Sequence, residues 1–349
     1  MIHRPALFAA VLFLAAVPAV AADAKPVKVF ILAGQSNMEG KVQNALLDHQ
    51  AKDPKTSKLF AKYRKDGQWV VRDDVFIKFL NRKGGLTIGY GSPNRTGVEL
   101  AFGTTMGNRF DEPVLLIKTA WGGHSLFKLF RPPSAGMPSD AALQDELKKA
   151  RQRVTNRNKK RKRKAKLPAM DDIKSAYGSS YRTMLKEVRE TMANAGTLFP
   201  ALKGRKLQLA GFVWFQGWND QYGAQNDYAK NMELFIKDVR KDLRAPKLPF
   251  VIGVMGQNGS KPAKGAMLVI QKAQLAMEQV PEFQGNVKAV RTDVLVDKAA
   301  EKLYPEWRKR FEEWKLVGSD RPYHYLGSAI WHNRIGEAMG TAMLGLMAK

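Results

Sequence analysis

The stretch Val27-Lys-Val-Phe-Ile-Leu-Ala-Gly34-Gln35-Ser36-Asn37-Met38 decides the fold. An apolar, β-branched run ending in glycine reads as a buried strand emptying into a tight turn. A serine at that point projects its hydroxyl at the C-terminal edge of the sheet, where open α/β sheets place their ligands. The turn continues Asn-Met-Glu-Gly40, which exposes backbone N–H groups beside the hydroxyl, as an oxyanion site requires. Serines in such turns more often cap helices or shape the turn, so the rest of the chain has to discriminate.

Upstream, Met-Ile-His-Arg-Pro5 is followed by an almost wholly apolar Ala6–Val17 and then Pro18-Ala-Val-Ala-Ala-Asp23. A basic start, a short apolar stretch and an Ala-x-Ala site make a secretory signal peptide over residues 1–21, cleaved after Ala21 or Ala22. The expected product is periplasmic or extracellular, and no later stretch is long and apolar enough for a membrane span. Residues 22–349 are expected to form one domain with large loops. The chain has no cysteine, which removes thiol chemistry and Cys-ligated metals. Metal sites built from His and carboxylates stay open, although no His-x-x-x-His or Asp-x-Asp-x-Asp spacing occurs.

Downstream, apolar runs alternate with helical patterns. The spacing predicts strands at Val27–Leu32, Val114–Lys118, Leu207–Phe215, Phe250–Met255 and Val287–Thr292. It predicts helices at Val98–Phe110, Tyr181–Asn194, Tyr228–Leu243, Ala266–Glu278 and Ser328–Met347. This is an α/β chain, and the alternation fits a flavodoxin-like three-layer α/β/α sandwich on a mainly parallel five-stranded sheet with right-handed crossovers.

A long excursion at about 125–178 interrupts the pattern. It reads as an insertion forming one wall of a cleft, because loops of that length are functional or disordered. It contains Lys148–Lys166, where twelve Lys or Arg occur in 19 residues with no acid, within a chain of net charge +26. Such a tract suits a solvated, mobile loop or a contact with extracellular polyanions. No aromatic residue interleaves with it, so nucleic acid is not the expected partner.

Four segments fall at proposed strand ends or just before the last helix: Gly34-Gln-Ser-Asn-Met38, Lys118-Thr-Ala-Trp-Gly-Gly-His124, Trp214-Phe-Gln-Gly-Trp-Asn-Asp220 and Asp320-Arg-Pro-Tyr-His324. In this order they resemble the conserved blocks of the SGNH hydrolases. The likeness is to the carbohydrate acetylesterase branch of sialate O-acetylesterases and acetylxylan esterases, from about Val27 to the C-terminal helix without the basic insertion.

Acyl transfer needs a nucleophile, a base and donors aimed at the developing oxyanion. Ser36 is the candidate nucleophile. The resemblance implies an oxyanion hole from the N–H of Ser36, the N–H of Gly122 or Gly123, and the side-chain amide of Asn219. Gln35, Gln216, Trp218 and His124 are candidates for substrate contact or support. Of five histidines, His3 lies in the signal, His49 in an exposed connection, His124 in the proposed oxyanion loop and His332 inside the final helix. His324 precedes that helix, where the family's catalytic histidine lies. The family spacing is Asp-x-x-His, whereas here Arg321 stands three residues before His324 and Asp320 four before. Asp320 is the favoured acid; Asp293, or a Ser-His dyad oriented by a backbone carbonyl, remains open.

The implied function is an exported carboxylic ester hydrolase removing O-acetyl groups from a carbohydrate, chemistry that needs neither a metal nor an organic cofactor. The strong positive charge tilts the expected substrate toward an anionic polysaccharide. A secreted polyanion- or glycan-binding protein on the same scaffold is the alternative, and a lipase on that scaffold lacks an amphipathic lid.

Overall fold

The computed structural model describes residues 25–348, so the signal peptide expected over residues 1–21 lies outside the described residues. Seven strands form the main sheet: β1 (Val27–Gly34), β2 (Val75–Phe79), β3 (Arg82–Gly85), β4 (Val114–Ala120), β5 (Leu207–Phe215), β6 (Phe250–Val254) and β7 (Val287–Arg291). Their order is β7-β6-β5-β1-β4-β2-β3. All neighbours are parallel except the antiparallel β2–β3 pair.

The central strands are near-continuous apolar runs because both their faces are covered. Along β1, Phe30 and Leu32 face one core, and Val29, Ile31 and Ala33 face the other. On the first face lie α1 (Glu99–Gly107) and α7 (Ala329–Met347), through Phe102, Met106, Ile335, Met339 and Met343. On the second lie α4 (Ser179–Ala193), α5 (Tyr228–Asp242) and α6 (Gly265–Ala276), through Tyr181, Met184, Phe235 and Ile270. The three-layer α/β/α sandwich is therefore present, with seven strands rather than five.

The two extra strands are β2 and β3. Val75-Phe-Ile-Lys-Phe79 carries a legible apolar run, whereas Arg82-Lys-Gly-Gly85 has no strand signature and is held by pairing with β2 at the sheet edge.

The long excursion is not a structureless loop. It holds α2 (Asp140–Arg161) and α3 (Met170–Ala176). Ser139 caps α2, its Oγ accepting from the Ala142 N–H. Leu143 and Leu147 pack with Ile173 and Tyr177 in a small separate core. Lysine, arginine and glutamine are good helix formers, so one apolar stripe suffices to make most of the basic tract helical. From Lys162 to Leu167 the chain is irregular and exposed.

Register positions the site. Gly34, at the end of β1, lies opposite Ala120 of β4 and Phe215 of β5. The residues following all three strands therefore emerge side by side at one edge of the sheet. Gly34 must lack a side chain: a Cβ there would sit 2.2 Å from the Phe215 carbonyl oxygen.

Candidate active site

Ser36 opens a single helical turn, Ser36–Glu39, directly after β1. It lines a cleft of about 310 Å³ together with Lys41, Gly122, Gly123, Trp218, Asn219, Gln257, Arg321, Tyr323 and His324. Ser36 is 8% exposed and His324 7%, so both present only an edge to the cleft.

The loop after β4 crosses close over the serine. A Cβ on Gly122 would lie 3.8 Å from the Ser36 Cβ and 3.2 Å from a Glu39 carboxylate oxygen. Gly123 adopts φ +81°, a left-handed conformation that favours glycine. Asp220 secures the continuation of this loop. Its carboxylate accepts from the Leu126 N–H at 2.9 Å, the Phe127 N–H at 2.7 Å and Gln216 Nε2 at 2.6 Å. Burial pushes the Asp220 carboxyl up to about 6 against these three donors.

The amides sort themselves by elimination. Gln35 Oε1 accepts from the backbone N–H groups of Gly217 and Asn219, each at 3.3 Å. That fixes Gln35 Nε2 on the other side, where it donates to Asn219 Oδ1 at 3.1 Å. The Asn219 Nδ2 donors are thereby left for the cleft. Gln216 has a different task. Besides Asp220, its Nε2 donates to the His124 carbonyl at 3.1 Å, and its Oε1 accepts from the Tyr228 hydroxyl at 3.1 Å. It is buried scaffold and does not line the cleft. His124 does not line it either; Nδ1 meets Ser180 Oγ at 2.7 Å and the ring lies 6.0 Å from that of Trp121.

His324 sits in a tight loop. Its backbone N–H donates to the Arg321 carbonyl at 3.0 Å, and the Gly327 N–H donates to its carbonyl at 2.8 Å. The next two residues, Tyr325 and Leu326, have φ of +52° and +59°, a costly region for bulky side chains. Tyr325 holds this strained turn, being 1% exposed with its hydroxyl accepting from the Gly256 N–H at 2.9 Å. Burial, then the charges of Lys41, His332 and Arg321, lower the His324 imidazole to about 3, opposed by a backbone contact with Arg321. Such a lowering favours the neutral ring at pH 7, and Nδ1 is buried without a hydrogen-bond partner among the described residues.

Asp320 does not supply that partner. Arg95 donates to both of its oxygens, at 3.0 and 3.2 Å, and Gln43 Nε2 donates to Oδ1 at 2.9 Å. Burial alone would raise this carboxyl, but Arg95 and Gln43 hold it below the usual carboxylate range. The carboxylate is turned toward Arg95 and Gln43, where it fastens the loop to the short ladder of Val42–Gln43 with Arg95–Thr96. Asp293, the other candidate, has its two oxygens taken by Arg291 at 2.7 and 2.5 Å. His332 is buried in α7, with Nδ1 2.9 Å from the Ser328 carbonyl oxygen.

Lys41, Gln257, Arg321 and Tyr323 line the cleft without having been singled out from sequence. Lys41 meets Glu39 at 3.0 Å. Gln257 follows β6 by three residues, and the strand-end rule that selected Ser36 would have found it. Among the described residues no three His, Asp or Glu side chains gather into a metal-binding group.

Comparison with known proteins follows the same motifs. A family model described as carbohydrate esterase, sialic acid-specific acetylesterase, matches residues 26–302. That span includes Ser36, Gly122, Gly123 and Asn219 and stops short of Asp320 and His324. A solved protein of Arabidopsis thaliana is similar in fold, with TM-score 0.50 and 17% identity over 92% of this chain and 98% of its own. A carbohydrate acetylesterase of Xanthomonas citri gives TM-score 0.42 and 14% identity over 77% of this chain and 51% of its own. No curated protein matches the chain.

Proposed function

Because this chain belongs to the carbohydrate esterase family of sialic acid-specific acetylesterases, we propose that it is an exported serine esterase removing O-acetyl groups from a carbohydrate. The observation that carries this reading is the meeting of Ser36, Gly122, Asn219 and His324, from four distant segments, on one cleft. Export rests on the N-terminal sequence and gives a periplasmic or extracellular enzyme.

In this mechanism Ser36 Oγ attacks the ester carbonyl while neutral His324 accepts its proton. The N–H of Ser36, the N–H of Gly122 or Gly123 and Asn219 Nδ2 receive the oxyanion. The tetrahedral intermediate collapses, His324 returns the proton to the leaving sugar oxygen, and an acetyl group stays on Ser36. Water, deprotonated by His324, then releases acetate. With Asp320 and Asp293 committed to arginines, and Nδ1 of His324 without a partner among the described residues, the unit works as a Ser-His dyad.

The unpartnered Nδ1 of His324 also favours a second reading, a glycan-binding protein that keeps the scaffold without turnover. Release of acetate from a panel of acetylated polysaccharides separates the two. The esterase reading expects release by the wild type and a loss of roughly 10⁴-fold or more in folded Ser36→Ala. Equal rates for both proteins, or none from the wild type on any member, would overturn it.

A further inference from the structure

Helix α2 presents a row of cations that the ester-cleaving site does not use. Lys149, Arg153, Arg157 and Arg161 follow one another every four residues, a row that rises about 6 Å and winds about 40° round the helix at each step. All four are exposed. Lys149 meets Asp145 at 2.6 Å. Among the described residues no salt bridge to the other three is formed. Leu143, Leu147 and Ala150 form the stripe that packs with Ile173 and Tyr177; the row starts about 120° round the helix from that stripe and winds onto its side only past the stripe's end.

Like charges four residues apart destabilise a helix. Here the repulsion runs the length of the tract, which supplies twelve of the chain's 58 Lys and Arg and no acid. Solubility alone would be served by charge spread over the surface; this charge is concentrated on one projecting rod. We propose that α2 is a docking arm for an extended anionic polysaccharide, held across successive sugar units by this cationic row.

The occupant follows from what the arm lacks. Without aromatic residues among the cations, nucleic acid bases have nothing to stack on. With its apolar stripe turned inward, the helix has no face to bury in a membrane. A regular polymer bound by charge is what remains, and it suits a carbohydrate esterase family.

No residue of 125–178 lines the Ser36 cleft, so the excursion does not form the expected cleft wall, but α2 is joined to the loop that continues from Gly122 and Gly123. Glu146 of α2 pairs with Lys128 and accepts from the Tyr177 hydroxyl at 2.6 Å. Lys128 belongs to the loop from β4 that Asp220 grips at Leu126 and Phe127. A polymer held on α2 is thus tethered to the element carrying Gly122 and Gly123. This inference reaches beyond the esterase reading and does not depend on it.

The test uses the full mature chain and fluorescein-labelled heparin as the probe, followed by anisotropy over a range of salt. Wild type is expected to bind at about 0.15 M ionic strength, with affinity falling as salt screens the row. The variant Lys149→Gln/Arg153→Gln/Arg157→Gln/Arg161→Gln keeps good helix formers. It is expected to bind at least roughly tenfold more weakly with a shallower salt slope, since counterion release scales with the contacts made. Its circular dichroism and hydrolysis of a small neutral acetate ester should be unchanged. Equal affinity and slope in wild type and variant would overturn the proposal. So would absence of wild-type binding, or tighter wild-type binding to single-stranded DNA or phosphatidylglycerol vesicles than to heparin.

Discussion

Gln35 Nε2 donates to Asn219 Oδ1 at 3.1 Å, joining the turn after β1 to the turn after β5. The bond fixes a polarity as well as a distance. Were the Asn219 amide reversed, two NH₂ groups would face each other and a carbonyl oxygen would confront the cleft where negative charge develops. Gln35 cannot itself reverse without losing the N–H groups of Gly217 and Asn219.

That relationship makes Gln35 a positioning residue whose effect travels through Asn219. Asn219→Ala is expected to lower kcat by roughly 10²–10³-fold, the loss found for one oxyanion donor. Gln35→Ala is expected to lower kcat by roughly 10–100-fold with little change in KM, as small misplacements do. In the double variant the losses should fall well short of adding, because the second change removes a support whose target is gone. Fully additive losses would place Gln35 in some other role.

The dyad reading makes a plain statement about Asp320. A triad acid, when replaced by its amide, costs about 10⁴-fold in kcat. Asp320→Asn is instead expected to change kcat less than about tenfold, since it removes an exposed anchor to Arg95, and exposed ion pairs contribute about 0.2–1 kcal/mol. A kcat loss of triad size with normal folding would return Asp320 to the catalytic unit.

The buried position of His324 has a consequence that NMR can read. Its imidazole is lowered to about 3 and that of His332 to about 4, both chiefly by burial. Histidine-selective spectra should show two rings that stay neutral from pH 8 down to pH 5, assigned through His324→Asn and His332→Asn. A His324 midpoint between 6 and 7 would contradict the buried, unpaired base. The sign for stability follows: as pH falls below about 6.5 the unfolded chain takes up protons that these folded rings refuse, so the fold weakens progressively toward acid. Asp220, raised to about 6, contributes in the opposite sense, favouring the fold below its own value.

Much of this molecule is legible in its sequence, for identifiable reasons. β1, β4, β5 and β6 are largely buried on both faces, so each carries a mostly apolar run, and the edge strand β7 alternates buried Val287 and Ala289 with exposed Lys288 and Arg291; all five start at the expected residue. β3 is different: Arg82-Lys-Gly-Gly85 owes its extended form to a neighbour. The basic tract Lys148–Lys166 carries almost no apolar residue of its own, and it is mostly helical because Leu143 and Leu147, just ahead of it, seat the start of α2 against α3. The cleft residues carried by motifs could be named in advance, since each follows a strand and strand ends share an edge. Asp320 could not be settled that way, because its side chain turns to Arg95 and Gln43 on distant segments. The amide sequence Gly217, Gln35, Asn219 depends on hydrogen-bond polarity across distant segments and leaves no mark in any one of them.

The central claim is that Ser36 carries the acetyl group between sugar and water. The most direct measurement is rapid acid quenching of the wild type during turnover of an activated acetate ester, followed by peptide mass analysis. The expected result is one acetyl group on the peptide containing Ser36, localised by fragmentation to that residue and absent from Ser36→Ala. An acetyl group found only on neighbouring Lys41, or an equal yield of adduct in the Ser36→Ala protein, would contradict the account.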